Sequence, residues 1–381
     1  MGHPKVDSTV AAVVTCEEDR RFLSDTLSAV LSQSVLPGTV VIADCSSATS
    51  PPVTSEFDGP RTSPGGEDSA SHQALGRVGG VLVRIVSVAG AESFADAVSR
   101  ALKHAGLGPT VSALWLLHDD SRPVGPRCLE RLLDARCNTP GVGIIGAKQL
   151  SWDGTLLHEV GYYAHGHRCE TLVIDGERDQ EQYDDRQDVF AVSLAGALVP
   201  LSTLTRFGGI DPWFGTFGES FDFCRRICRG GGRALIVPRA AVAHRRARFE
   251  GLRSRSGMPL EDARETRATM AWLVAEQRYR YTDIPLAWWP LVWLLGLPAS
   301  IVHAIVCLVG KCPYEAWCRL RLPWMVWASP GRAVAARRRL RRHARLPLSR
   351  LPMLVVDRRQ MARWRDRRTA YGMQNGPAVV G

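Results

Sequence analysis

Ala113-Leu114-Trp115-Leu116-Leu117-His118-Asp119-Asp120-Ser121 runs from apolar residues straight into a histidine, two adjacent carboxylates and a small hydroxyl residue. The pattern predicts a buried strand whose C-terminal end opens into a polar site. In open α/β sheets, ligands bind at such strand ends. Two neighbouring carboxylates are costly to desolvate, so a close pair calls for a metal ion or another positive partner. The same Asp-Asp-Ser triplet also suits a solvated turn, and the motif alone leaves both readings open.

Upstream, the chain alternates in a way that favours the first reading. Val10–Thr15 is a short β-prone apolar run, and Glu17, Glu18 and Asp19 suit the start of a helix over Arg21–Gln33. Phe22, Leu23, Leu27, Val30 and Leu31 supply the apolar stripe of that helix. Thr39–Asp44 reads as a second strand, and strand, helix, strand with short connections is a unit of parallel sheet. Residues 48–78, rich in Ser, Pro, Gly and acids, read as a mobile surface loop. Gly79–Val86 predicts a strand, Ser93–Ala105 a helix, Arg127–Ala135 a helix and Val142–Gly146 a strand. Residues 1–150 therefore read as a nucleotide-binding half.

From residue 147 the rhythm changes. Leu157–Tyr163 and Val189–Val199 are strand-like, and Phe207–Gly215 is a loop dense in glycine and aromatics. Glu219–Arg229 predicts a helix. Arg233–Val237 predicts a last strand, with Pro238 opening a loop toward His244. Residues 151–255 read as an acceptor-binding and catalytic half.

The chain of 381 residues, 45% hydrophobic and 23% charged, is long enough for a substantial core and balanced as folded proteins are. Met1–Lys5 lacks the apolar run of a secretory signal. Ten scattered cysteines contain no Cys-x-x-Cys, which predicts free thiols in a reducing compartment. The net charge of +10 is concentrated at one end: Lys311–Gly381 carries 17 Lys/Arg against 3 Asp/Glu, or +14. Basicity confined to one end does not mark the whole protein as nucleic-acid binding.

Leu286–Gly310 contains no Asp, Glu, Lys or Arg and three tryptophans. Its length and its tryptophans predict membrane insertion, spanning or re-entrant, with a buried helical hairpin as the alternative. Pro290 and Pro298 are tolerated in that setting. Trp317–Ser329 is a plausible interfacial segment. Arg332, Arg337, Arg338, Arg339, Arg341, Arg342 and Arg345 then form a block suited to anionic lipid, on the cytoplasmic side. Residues 256–350 read as a helical membrane-associated segment and 351–381 as a basic tail. A single span would place the two ends of the chain on opposite sides of the membrane. A hairpin would not, and the sequence does not choose.

Residues 8–250 resemble inverting family-two glycosyltransferases of the GT-A fold, in the actinobacterial rhamnosyl- or galactofuranosyltransferase-like branch. The segments that carry the resemblance are Val13–Thr15, Gln33, Ile42–Ser46, Leu117–Asp120, Phe207–Asp211, Phe217–Arg226 and His244, in that order. It implies an α/β, Rossmann-like mixed sheet binding a nucleoside-diphosphate sugar, with a C-terminal helical membrane-associated segment. It places Thr15 and Glu17 near the base or ribose, Asp44 on the base, and Asp119 on the sugar or ribose. Asp120 matches the last acid of the family's Asp-x-Asp metal motif. His118 stands where the first acid belongs, and an imidazole there can bind metal or phosphate. His244 matches a late histidine that completes metal or diphosphate binding, the metal being Mn²⁺ or Mg²⁺.

The catalytic segment departs from the family. An acidic pair is usual, its second member commonly the base, but the chain reads Glu219-Ser220-Phe221-Asp222. Glu219 is therefore expected to be the general base, with Asp222 positioning or stabilising the site. A structural alternative makes these acids a helix cap and an ion-pair partner of Arg225 or Arg226. Trp213 and Phe214 are expected to stack on an acceptor sugar, or else to pack internally. The acceptor expected is a glycan or a polyprenyl-linked envelope glycan. Two competing readings stay open: a catalytically silent relative that binds sugar nucleotide or an assembly partner, and a metal-dependent phosphoryl-transfer enzyme or hydrolase using Asp119 and Asp120.

Overall fold

The computed structural model describes residues 4–17, 19–46, 73–246 and 260–375. Its first half is built from β1 (Lys5–Cys16), α1 (Leu23–Leu31), β2 (Val35–Asp44), β3 (Gln73–Val78), β4 (Val81–Ser87), α2 (Phe94–His104), β5 (Ala113–His118), β6 (Ser121–Val124), α3 (Cys128–Asn138) and β7 (Val142–Leu150). The short strands β8 (Leu157–Glu159), β9 (Tyr163–His165), β10 (Arg168–Glu170), β11 (Asp188–Val189) and β12 (Leu198–Pro200) come next. After them come α4 (Leu201–Phe207), α5 (Glu219–Arg229) and β13 (Arg233–His244). Among the described residues the last five α-helices are α6 (Leu260–Asp283), α7 (Trp289–Val309), α8 (Pro313–Trp327), α9 (Pro330–His343) and α10 (Arg358–Asn375).

Among the described residues a mixed sheet of 11 strands organises the molecule, in the order β11-β13-β7-β12-β5-β1-β2-β4-β3, with β6 on β13 and β8 on β7. Strands β5, β1, β2 and β4 are parallel. From Val10 onward β1 is buried on both faces, so that stretch reads as a continuous apolar run. Ala11 and Val13 face one core cluster, and Val10, Ala12 and Val14 face the other. From β1 the chain steps outward through β2 and β4, then returns to lay β5 on the opposite side of β1. That reversal makes the carboxyl ends of β1 and β5 a topological switch point, where such folds bind ligands.

Several elements differ from the sequence expectation, each for a local reason. Residues 73–78 are strand rather than loop: Gly79 and Gly80, with φ of 56° and 87°, form a tight turn that folds β3 onto β4. Most of the expected mobile loop, residues 47–72, lies outside the described residues, as does Glu18. The first helix begins at Leu23, so Glu17 and Asp19 precede it; Asp19 pairs with Arg21 instead. Leu157–Tyr163 splits into β8 and the start of β9 around Gly161, whose φ is 74°. β13 does not stop at Pro238: its register on β7 jumps between Val237 and Ala241, and the irregularity absorbs the proline. The strand therefore runs on to His244.

Gly196 lies beside the site, with its N–H donating to the Leu116 carbonyl at 2.7 Å and a φ of 82°. A Cβ there would stand 2.6 Å from Cγ2 of Val242. Gly196→Ala is expected to cost about 2–4 kcal/mol from backbone strain plus overpacking. Thermal denaturation would show this as a lowered midpoint.

Candidate functional site

The switch point gathers residues far apart in sequence. Thr15 and His118 are register partners at the ends of β1 and β5, and Thr15 Oγ1 lies 3.3 Å from His118 Nδ1. The Asp119 N–H donates to the Thr15 carbonyl at 2.9 Å, while its own carbonyl accepts from Thr26 Oγ1 at 2.7 Å. The Glu17 N–H reaches Asp119 Oδ2 at 3.5 Å. Asp44, at the end of β2, accepts from the Ser46 N–H and hydroxyl at 3.1 and 2.6 Å. Arg20 faces its other oxygen at 3.4 Å.

Ser121 hydrogen-bonds both ways with the His118 backbone, fixing the turn that presents Asp119 and Asp120. β6 then pairs antiparallel with β13, with Ser121 opposite His244. This pairing brings Asp120 Oδ1 to 3.5 Å from His244 Nε2. The His118 and His244 rings stack at 5.7 Å, and Phe94 covers His118 from 4.2 Å. The sequence-predicted residues His118, Asp119, Asp120 and His244 thus form one cluster with Thr15. Asp119 and Asp120 are buried.

Among the described residues, no three His, Cys, Asp or Glu side chains gather to cage a metal ion. Asp120 and His244 nevertheless offer two converging donors. One or two protein donors suit a cation that completes its shell with phosphate oxygens and water. The residues present fit a cation of that kind.

α5 meets the first turn of α2 through Glu219. Glu219 is fully buried in its first turn, where Oε2 accepts from the Ala95 N–H at 3.0 Å, in the first turn of α2. Burial pushes its carboxyl up to about 7, against the opposing pull of the Ser93 hydroxyl and the Ala95 N–H. Oε1 is buried without a hydrogen-bond partner. Gly218, not Glu219, occupies the N-cap of α5. Asp222 is committed to ion pairs, 2.8 Å to Arg225 and 2.8 Å to Arg226.

Trp213 and Phe214 are 2% and 1% exposed. The Trp213 indole donates to Ser329 Oγ at 2.9 Å, and the Arg278 guanidinium covers its ring at 5.0 Å. Neither ring presents a face to solvent in this arrangement.

Sequence reasoning passed over Glu159. It is buried on β8, where Oε1 accepts from the Ser193 N–H at 3.2 Å and Oε2 from the Tyr162 hydroxyl. Burial pushes its carboxyl up to about 7, with Tyr162, Ser193, His244 and Arg246 pulling the other way. Tyr162 packs edge-on against Phe221 of α5 at 4.8 Å. The one signal was an acid two residues from Leu157 on a short strand, on the same core-facing side.

Glu159 and Glu219 hold protons in the fold that the unfolded chain releases near 4.5. The folded state therefore binds more protons between about 4.5 and 7, and stability falls as pH rises through that window. Glu159→Gln and Glu219→Gln are each expected to flatten this part of a melting-temperature profile; an unchanged slope would refute the assignment.

A family model described as "Glycosyl transferase family group 2" matches residues 113–335, more than half of the chain, from β5 into α9. The chain belongs to this family. No curated protein matches it. Similar solved structures include GalNAc-T7 with UDP, GalNAc and Mn²⁺, at 13% identity and a TM-score of 0.47, covering 73% of this chain and 51% of that one. The chain thus spans about half the length of that relative. The mannosyltransferase PcManGT of Pyrobaculum calidifontis, with GDP-Man and Mn²⁺, gives 14% and 0.40, covering 95% and 83%. S. aureus TarS 1-349 gives 9% and 0.41, covering 88% and 91%. The mixed sheet agrees with the GT-A, Rossmann-like architecture.

Leu286–Val309 is long and apolar enough to cross a membrane, and little of it is buried. The arginines of α9 are partly used within the protein: Arg337 donates to the Thr282 carbonyl at 2.8 Å and Arg339 pairs with Asp211. Arg338, Arg341, Arg342 and Arg345 remain exposed along one side.

Proposed function

We propose that this chain is an inverting, metal-dependent glycosyltransferase. It would move a sugar from a nucleoside-diphosphate donor to a glycan or polyprenyl-linked envelope acceptor. The observation that carries the reading is the meeting of Thr15, His118, Asp119, Asp120 and His244 at the switch point, in a chain of this family. The order of the motifs supports the rhamnosyl- or galactofuranosyltransferase-like branch.

Thr15, Glu17 and Asp44 would bind the base and ribose, and Asp119 the sugar or ribose, with His118 beside the diphosphate. Mn²⁺ or Mg²⁺ held by Asp120 and His244 would offset charge on the nucleoside-diphosphate leaving group. Glu219 would take the proton of the acceptor hydroxyl. That oxygen forms the new bond to the anomeric carbon as the bond to diphosphate breaks, and one displacement inverts the centre. Asp222 would hold α5 in place. Trp213 and Phe214 would back the acceptor side from within.

The protein would sit at the cell membrane through α7, with its catalytic domain on the cytoplasmic side. The exposed arginines of α9 would contact anionic lipids and not nucleic acid. Two observations favour a second reading: Ser220 replaces the usual acid and Glu219 is fully buried, as expected of a silent sugar-nucleotide-binding relative.

The test is product formation by membrane-reconstituted protein, with a panel of UDP- and dTDP-sugars, Mn²⁺ or Mg²⁺ and envelope lipid extract. Transfer that is lost in Asp120→Asn and kept in Ser220→Ala supports the enzyme. Nucleotide binding without transfer, in a panel containing the authentic acceptor, supports the silent relative.

A further inference from the structure

We infer that α7 and α8 form a single bilayer-inserted hairpin that enters and leaves through the same leaflet, keeping the catalytic domain and the exposed arginines of α9 on one side. The inference rests on the membrane reading above and adds the path of the chain.

α7 has 21 residues and α8 has 15, about 32 and 22 Å of helix against a hydrocarbon core of about 30 Å, so α8 is too short to return from the far surface and the pair fits a hairpin that turns inside the core. Its outer surface is apolar and open: Leu294 is 58% exposed, Val306 63% and Val309 80%. The chain then turns over Gly310–Cys312, with Lys311 at a φ of 60°. α8 returns alongside. Trp293, near the start of α7, packs edge-on against Trp324 and Trp327, near the end of α8, at 5.1 and 6.1 Å. Such contacts require antiparallel helices.

Both ends of the hairpin are fastened to the globular part. At the start, Trp289 is buried and donates to the Tyr281 carbonyl at 2.9 Å. Past the end, Ser329 accepts from Trp213. α9 then docks through Arg337 and Arg339, and the Arg345 N–H donates to the Arg229 carbonyl at 2.8 Å. A single span would have to pull α8 off α7 and α9 off the catalytic domain.

Five of the six tryptophans between residues 288 and 327 mark the level of the membrane surface, while Trp317 stands near the turn. Trp288, Trp289, Trp293, Trp324 and Trp327 all sit at the root of the hairpin, where an interfacial belt is expected. Pro290 and three of these indoles line a cleft there. The charges of α8 are matched within the helix. Glu315 pairs with Arg319 at 2.9 Å, and Arg321 lies over the Trp317 ring at 5.8 Å. Pairing of this kind is what an apolar medium demands.

Lys311 is the only lysine after Lys148, and Lys103 is exposed on the catalytic domain. These residues allow a direct test with the full chain in sealed phosphatidylcholine–phosphatidylglycerol vesicles, catalytic domain outward. A membrane-impermeant amine reagent is read out by site-resolved mass spectrometry, and a C-terminal epitope tag by antibody. We expect Lys103 and the tag to react in intact vesicles, with labelling of Lys311 absent until detergent is added. A shielded tag beside a reactive Lys103 would overturn the hairpin in favour of one span. Lys311 reacting in intact vesicles would overturn insertion of the turn. Release of the protein by alkaline carbonate would sink the membrane reading itself. Sugar transfer, measured in the same vesicles, reports separately on the catalytic reading.

Discussion

Glu219→Gln is expected to lower sugar transfer about 10²–10⁴-fold, the usual scale of a positioned acid–base group, while donor binding stays close to wild type. Glutamine keeps the shape and still accepts from the Ala95 N–H, which reaches Oε2 at 3.0 Å. It removes the proton-accepting capacity of Oε1, which has no hydrogen-bond partner. The pH profile sharpens the expectation. With the carboxyl pushed up to about 7, wild-type transfer should rise with pH through neutrality as Glu219 loses its proton. Stability should move the opposite way, because the ionised carboxylate is the buried form that costs. Glu219→Gln should therefore be slower and, above neutral pH, at least as stable as wild type. Donor binding measured by calorimetry, beside transfer rates, separates this from a damaged site. Unchanged transfer in Glu219→Gln would remove Glu219 as the base and turn attention to Glu159.

The parts of this site that were legible in the sequence are those written in local periodicity. The run Ala113–His118 was readable as a strand because both of its faces are buried, and its polar end follows from the switch-point rule. Glu219–Arg229 was readable to the residue, since Gly218 and Gly230 bracket an amphipathic segment. The partnership of Asp120 with His244 was implied by resemblance alone. Physically it depends on β6, a four-residue strand containing Pro123 that no periodicity announces. Burial was equally hidden. Trp213 sits in a glycine-rich loop that looks exposed, yet Ser329 and Arg278, more than 60 residues away in sequence, enclose it. The path of the membrane segment was undecidable for the same reason, because it depends on where α9 docks.

Asp222→Ala is expected to be the most destabilising single change at the site, by about 3–5 kcal/mol, the usual cost of removing one partner from a buried ion pair. Its carboxylate faces two guanidiniums at once, and Arg225 and Arg226 are 1% and 0% exposed. Each arginine also holds a separate piece of chain. Arg225 donates to the Tyr279 carbonyl and Thr282 Oγ1 of α6, at 3.1 and 2.8 Å. Arg226 donates to the carbonyls of Phe207 and Gly209, just ahead of the Pro212–Phe214 turn. Deleting the carboxylate leaves Arg225 with Asp283, at 3.5 Å, and takes from Arg226 the carboxylate it pairs with. For a domain of this size the cost corresponds to a fall of about 6–20 °C in melting temperature. Transfer should fall with it even below the melting transition, because α5 also carries Glu219 and its aim depends on the two arginine tethers. A melting temperature within about 2 °C of wild type, which corresponds to no more than about 1 kcal/mol, would show that Asp222 does not brace the helix. Normal melting with lost transfer would instead assign Asp222 to the chemistry.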